Sequence, residues 1–518
     1  MSLRKYIRRN VYSWHRTTSL IVAVPILLWT LSGFLHPVMN TFKPDVKSQV
    51  LQPQVIDTSR IKVSLQNALA LHQIQKLHNF RIVKLNSKFY YQIQQNNQDT
   101  LTYIDCYDGT LLTYGDQQYA GYLAQRFLTD SNGRSGDEHV HNAAAADIIS
   151  ALAGLANCKP SFPKAMIRDI TLIKDFNREY KSSNVLLPVY RVDFDRKDNI
   201  RLYIETSTDR LATAIDNRKA WFNSFFSIAH TWSFLDGMGN AKHIALGTFS
   251  ALCLLTCIFG FYVYNIMNRK KAVTKSVKYK NRNTHRSLGN FFLLTTLLFS
   301  FSRAWHAFAK TNEKDNQRLH DQTQFNSSDM ALSLTQMFNK LSKEEKLSGI
   351  SVVSINGKNY WQLFVNKPKG SGKRYLDMAS LQELPDGDMT YGRYLACEFS
   401  HQDPQQIHYS AYLNGFTHTY SMMNKRLPVV QVRFADDKDY FVETGTGYLS
   451  STAGTSDRGE RFSFTNLHMH HYWEMWLGRD TGKAVRNLVL TISTLGLLIL
   501  ALTGILMYGR KMALKKKT

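Results

Sequence analysis

Along the chain, long apolar runs alternate with two kinds of water-facing segment. Four runs, over residues 17–39, 243–267, 287–309 and 485–508, are almost free of charge. Each is long enough, at about 1.5 Å per residue, to cross a hydrocarbon core about 30 Å thick. Between them, residues 40–242 and 310–484 alternate apolar and polar positions with period two and are interrupted by Asp-Gly, Thr-Gly or charged turns, as antiparallel hairpins require. "KFYYQIQQ", "TLTYIDCYDGTLLTYG", "VYRVDF", "NYWQLFV" and "DYFVETGTGYLSS" carry this pattern, and "SLQNALALHQIQ" and "DMALSLTQMFNKL" have helical spacing ahead of the strands. The expected unit is a helix followed by antiparallel strands. "GKNY" and "GSGKR" read as turns, because the chain holds no G-x-x-x-x-G-K-[ST] phosphate loop and no G-x-G-x-x-G dinucleotide fingerprint.

The pattern is written twice. "LPVYRVDFDRKDNIRLYIETSTDRLAT" (187–213) aligns with "LPVVQVRFADDKDYFVETGTGYLSST" (427–452), and "DNRKAWFNSFFSIAHTW" (216–232) with "DRGERFSFTNLHMHHYW" (457–473), which pairs His230 with His471. Each half reads as span, large globular domain, span. The predicted fold is a membrane protein with a four-helix transmembrane bundle, two large periplasmic α+β domains and two tandem pseudo-symmetric halves.

Charge changes the picture by its position. The 518 residues carry a formal charge of +24, which raises the question of nucleic acid. Residues 1–16, 268–286 and 509–518 hold no Asp or Glu, whereas all 40 carboxylates fall in the two long loops. The excess is a topology signal: the N-terminal tail (1–16), the basic loop (268–286) and the C-terminal tail (509–518) stay cytoplasmic and both long loops are translocated. The expected partner is the lipid bilayer, with no nucleic acid. "GFLHPVMN" lacks the small-x-small site of a cleaved signal peptide. Cys106, Cys158, Cys253, Cys257 and Cys397 form no C-x-x-C or C-x-x-C-H, so nothing signals covalent haem attachment or thioredoxin-like chemistry, and unpaired buried thiols are expected.

"WHRTTSL", "THRSLGN", "IAHTWSFLDGMGNAKHIALG" and "ALTGILMYGRK", together with the "Y-x-V-x-F…E-T-x-T" strands, resemble the PepSY-associated transmembrane family over nearly the whole chain. That family includes inner-membrane, haem-containing ferrisiderophore reductases, and the strand pattern resembles its PepSY module. "CIFGFYVYN" stands where the last span has Thr-Gly, and "LHMHHYW" offers three histidines where the first half has one. The resemblance implies a b-type haem oxidoreductase of the bacterial inner membrane with two haems. It would carry electrons from a quinol or cytoplasmic donor to ferric iron in a siderophore or other iron chelate.

The histidines fit such chemistry. His15 and His36 are 21 residues apart, as are His285 and His306, which on a straight helix puts one imidazole near each membrane face. Facing imidazoles in an apolar bundle can hold haem iron, and basic residues at the water boundary can meet its propionates. The candidate iron ligands are His15, His36, His285 and His306, with His230 and His471 as further cofactor-binding residues. Arg16, Arg286 and Arg303 are the candidate propionate partners. Two pairings stay open: His15 with His285 and His36 with His306, or an outer histidine with His230 or His471. His468 and His470 are additional metal candidates, and "DEHVH" (137–141) is a weaker one. The competing reading makes each histidine an interfacial anchor and the chain a non-enzymatic membrane protein that binds or regulates a periplasmic partner. No intramembrane carboxylate supports an ion-coupled transporter.

Overall fold

The computed structural model describes residues 3–41, 43–95, 99–130, 166–266, 277–312, 319–330, 334–368, 370–417, 419–420 and 426–515. The Asp137–His141 motif and Cys158 lie outside the described residues.

The duplicated strands form two copies of one arrangement. In the first half, the Leu65–Leu71 helix, capped by Ser64 Oγ on Asn67 N at 3.2 Å, precedes an antiparallel three-stranded sheet of Asn79–Leu85, Lys88–Gln94 and Thr102–Asp105. The Gly115–Thr129 helix follows, then a four-stranded antiparallel sheet of Ile167–Ile173, Val189–Phe194, Arg201–Glu205 and Arg210–Ile215. The second half repeats this with Lys346–Ile355, Lys358–Lys367 and Gly370–Asp377, the Gly387–Ser400 helix, and Ile407–Leu413, Val429–Phe434, Asp439–Glu443 and Tyr448–Ala453. "GSGKR" therefore opens a strand and is not only a turn: Gly370, at φ +139°, pairs with Lys367 and lets the chain reverse directly into the ladder. The helices Gly115–Thr129 and Gly387–Ser400 were not expected from the pattern. Each packs against its four-stranded sheet.

The two halves share one core. Leu69, Phe80, Tyr91, Phe325, Ile350 and Trp361 belong to a single buried cluster, with the Phe80 and Trp361 rings edge to face at 6.0 Å. A two-residue antiparallel pairing, Leu77 with Phe325, and a bond from Arg426 to Thr208 O at 3.0 Å also cross between the halves. Matching polar networks stitch sheet to sheet inside each half. Gln92 Nε2 donates to Tyr103 OH and Thr206 O, and Gln362 Nε2 to Tyr375 OH and Thr444 O. Tyr103 then donates to Asp116, and Tyr375 to Asp388. Only the second network is completed by a lysine, Lys373 Nζ, 3.0 Å from both Asp388 oxygens. Burial pushes both carboxyls up; at Asp388 the lysine and the hydrogen bonds outweigh it and hold the group below its ordinary range, whereas Asp116 stays raised.

Among the described residues, two helices are long and apolar enough to cross a membrane: Asn240–Asn265 and Arg479–Gly509. The first apolar run, 17–39, is not one straight rod. Its helix begins at Leu3 and is bent by 58° between Ile21 and Ala23. Pro25 supplies the cause: it lacks an N–H, and its ring crowds the carbonyl four residues back, at Ile21. The run 287–309 likewise belongs to a pair, Val277–Phe291 and Leu293–Ala309, so the expected loop 268–286 is helical from Val277 onward. Each broken helix changes neighbours at its break. Leu3–Ile21 packs on Asn240–Ile266 of its own half, but Ala23–Thr41 packs on Arg479–Lys515 of the other; Val277–Phe291 and Leu293–Ala309 repeat the exchange.

Candidate functional site

The helices enclose a cavity of ≈ 1580 Å³, larger than the roughly 300–1,000 Å³ of ordinary ligand pockets. Six histidines line it, His15, His36, His230, His285, His306 and His468, with four arginines, Arg16, Arg282, Arg286 and Arg303. No Asp or Glu is among its lining residues.

Near one end, His15 and His285 occupy equivalent positions, and their surroundings are equivalent too. His15 Nδ1 lies 3.0 Å from Thr256 O, and His285 Nδ1 lies 3.1 Å from both Leu500 O and Thr503 Oγ1. A carbonyl can only accept, so each Nδ1 carries the proton and each Nε2 keeps its lone pair. A glycine one turn further on each partner helix makes room for the ring: a Cβ at Gly260 would lie 3.0 Å from His15 Cε1, and one at Gly504 would lie 3.3 Å from His285 Cε1. Arg16, Arg282 and Arg286 share this end. Arg286 stacks over Tyr264, with its guanidinium 5.4 Å from the ring centroid.

At the other end the halves match in outline and differ in detail. Phe226 lies 5.7 Å from His36 and stacks on His230 at 4.6 Å; Phe464 stacks on His306 at 4.5 Å and on His468 at 5.1 Å. The partner of His230 is therefore His468, and the expected equivalence with His471 shifts. The backbone agrees: Asp216 and Gly454 are the equivalent N-caps, and Trp232 and His470, two residues past the paired histidines, share a left-handed φ of 52° and 55°. His230 and His468 rings meet at 6.2 Å across the halves. Burial first, then the neighbouring Arg303, pushes both imidazoles down, His468 to about 3, so both are neutral.

Their hydrogen bonds differ. Ser32 Oγ donates to Leu28 O at 2.7 Å and lies 3.0 Å from His230 Nδ1, so that nitrogen carries the proton. In the second half, Ser302 Oγ and His468 Nδ1 are both buried without a partner. His306 Nδ1 is bonded to Glu460, a position occupied by Phe222 in the first half.

His471 stays outside this group. It lies 3.1 Å from Arg486 and 3.3 Å from Glu474, and His470 Nδ1 binds Tyr472 OH at 2.8 Å. The three histidines of "HMHH" thus point to three different partners, and among the described residues no three His, Cys, Asp or Glu side chains converge as a metal site. Arg16, Arg286 and Arg303 all line the cavity. Sequence reasoning missed Thr256, Gly260, Glu460, Phe226, Phe464 and Arg282; Gly260 and Gly504, at matching places in the second and fourth apolar runs, were the readable signal. Cys253 and Cys257 line the cavity as free thiols, and Cys106 is a buried free thiol.

No curated protein and no solved structure matches the chain. A family model described as the PepSY-associated TM region matches residues 174–511, which include the second broken helix, both long apolar helices, Phe226, Phe464 and four of the six cavity histidines. A membrane protein whose apolar helices carry β-sheet-rich globular halves, the chain belongs to the PepSY-associated transmembrane family.

Proposed function

We propose that this protein is a haem-dependent reductase of the bacterial inner membrane, passing electrons to ferric iron held by a siderophore or other chelate on the periplasmic side and releasing Fe(II). In this reading the two long helices and the two broken ones form a bundle of four spans, with both termini cytoplasmic and the globular halves periplasmic, as the positive-inside rule directs. The observation that carries it is the duplicated pair His15 and His285, each with Nδ1 tied to a helix carbonyl and Nε2 left as a bare nitrogen donor beside a glycine. That is the arrangement by which proteins orient metal-binding imidazoles.

Haem, when bound, supplies one-electron chemistry between Fe(III) and Fe(II). The residues of the chain do the rest. His15 and His285 supply nitrogens near the cytoplasmic end. His36, His230, His306 and His468 supply them near the outer end, where Glu460 holds the Nδ1 proton of His306. Arg16, Arg282 and Arg286 give carboxylates a cationic boundary, and Phe226, Phe464, Leu293 and Leu497 keep water from the interior. A quinol or a cytoplasmic donor delivers electrons at the inner end. Reduction weakens hard-oxygen chelation of the iron, so the substrate metal leaves its chelator.

The test is optical. Protein purified after expression with haem supply should show a Soret band that shifts on dithionite, and His15→Ala and His285→Ala should each lose part of it. A colourless wild type refutes the proposal and leaves a membrane-held scaffold that binds a periplasmic partner.

A further inference from the structure

One position breaks the symmetry of the cavity. Arg303 stands where the first half has Gly33, and a Cβ on Gly33 would already lie 3.1 Å from Thr494 Cγ2, so the first half has no room for an equivalent side chain. Arg303 Nε is buried without a hydrogen-bond partner, and among the described residues its guanidinium bonds the His230 carbonyl alone, at 3.3 Å. Among the described residues no carboxylate lines the cavity, and Glu460, on a segment packed beside the same helix, is engaged by His306. Close by, Ser302 Oγ is buried and unpaired, whereas its equivalent Ser32 is bonded to His230; the His468 ring turns instead to the Phe299 carbonyl.

A cation whose Nε is buried and unpaired, with no counter-ion and an unpaired hydroxyl beside it, is costly unless something anionic completes it. We propose that the outer end of the cavity contains a single binding site for a carboxylate, gripped by the Arg303 guanidinium with the Ser302 hydroxyl beside it. A planar carboxylate offers the two acceptors that a guanidinium fork matches, and a second lone pair remains for the Ser302 hydroxyl. The site exists once per chain because only the second half has the arginine and the unpaired serine. Such a carboxylate has two sources: a propionate of the resident porphyrin, or an arm of a diffusible chelator such as citrate. The first rests on the function proposed above; the second does not.

The experiment uses the full-length protein in detergent, comparing wild type with Arg303→Leu and Arg303→Lys. Haem per polypeptide is measured before and after challenge with apomyoglobin, and citrate binding by calorimetry at low ionic strength. If a propionate fills the site, Arg303→Leu gives up haem about tenfold faster than wild type, Arg303→Lys falls between, and citrate produces no heat. If a diffusible carboxylate fills it, citrate binds wild type and binds Arg303→Leu about tenfold more weakly, with haem content unchanged. Should Arg303→Leu fail to fold, Arg303→Lys decides, because it keeps the charge and loses the fork. Haem retention and citrate binding that are the same in wild type and variant overturn the proposal. A colourless wild type that binds citrate through Arg303 would refute the reductase reading and keep this site.

Discussion

Glu460 offers the sharpest test of the outer end, because its carboxylate binds His306 Nδ1 while the equivalent position, Phe222, offers no acceptor to His36. Replacing it by glutamine keeps an oxygen in reach, so the imidazole retains its tautomer and only the charge is lost. A hydrogen bond to a charged acceptor contributes roughly 1.5–3 kcal/mol and one to a neutral acceptor roughly 0.5–1.5, a difference of about 1 kcal/mol. If His306 holds haem iron as proposed, the anionic partner would make the imidazole a stronger donor and so favour ferric over ferrous iron. Removing it should raise the one-electron potential of the centre held by His306. At 59 mV per tenfold change, about 1 kcal/mol corresponds to a rise of roughly 40 mV. Optical redox titration of Glu460→Gln should resolve one component that moves by this amount and one that does not. No movement, or equal movement in every component, would refute the assignment of His306 as a ligand oriented by Glu460.

The remaining predictions concern packing and charge. Gly260→Ala, whose Cβ would lie 3.0 Å from His15 Cε1, should lower bound haem more than Gly504→Ala, whose Cβ would lie 3.3 Å from His285 Cε1, and pyridine haemochrome assay of the two variants checks the order. Lys373→Met leaves the half-buried Asp388 without its cation, though still bonded to Tyr375, and should cost roughly 3 kcal/mol at pH 7. The carboxyl, held down by the lysine in the wild type, is ionised above its unfolded pKa, so the stability it contributes is present at neutral pH and lost as pH falls through the depressed value. The gap between wild type and variant in thermal unfolding should therefore narrow toward pH 4, and Lys373→Met combined with Asp388→Asn should recover most of the loss at pH 7. A Cβ at Gly496 would lie 2.1 Å from Phe292 Cε2, so Gly496→Ala should destabilise by roughly 1–3 kcal/mol, with Phe292→Leu relieving it.

How much of this was legible depended on whether a feature left a local trace. The strands did, because period-two burial and turn residues are local, and their duplication exposed the repeat. The helix Gly115–Thr129 did not: its buried face includes Gly115, Asp116, Tyr119 and Gly121, a mixture set by close approach to the sheet and not by an apolar stripe. Pro25 was in plain view as the mark of the bend, yet the apolar run continues through it without a charge. Among the candidate site residues, the 21-residue spacing led to His15, His36, His285 and His306, which all line the cavity. The partner of His230 was hidden because His468, His470 and His471 crowd four positions, and the alignment was anchored on Asp457 instead of the N-cap Gly454. Glu460 and Arg303 act through contacts between distant segments, which no local pattern records.

The exchange of neighbours at the two helix breaks bears on how this chain could have arisen. A single-copy ancestor with the same broken rod would have had to lean its upper limb on a twin, as a twofold homodimer. In such a dimer every substitution appears twice, so an arginine at the position of Arg303 would also have been forced into the place where Gly33 now touches Thr494. Joining the copies into one polypeptide would have freed them to diverge, and a cation in one half with no twin in the other became possible only then.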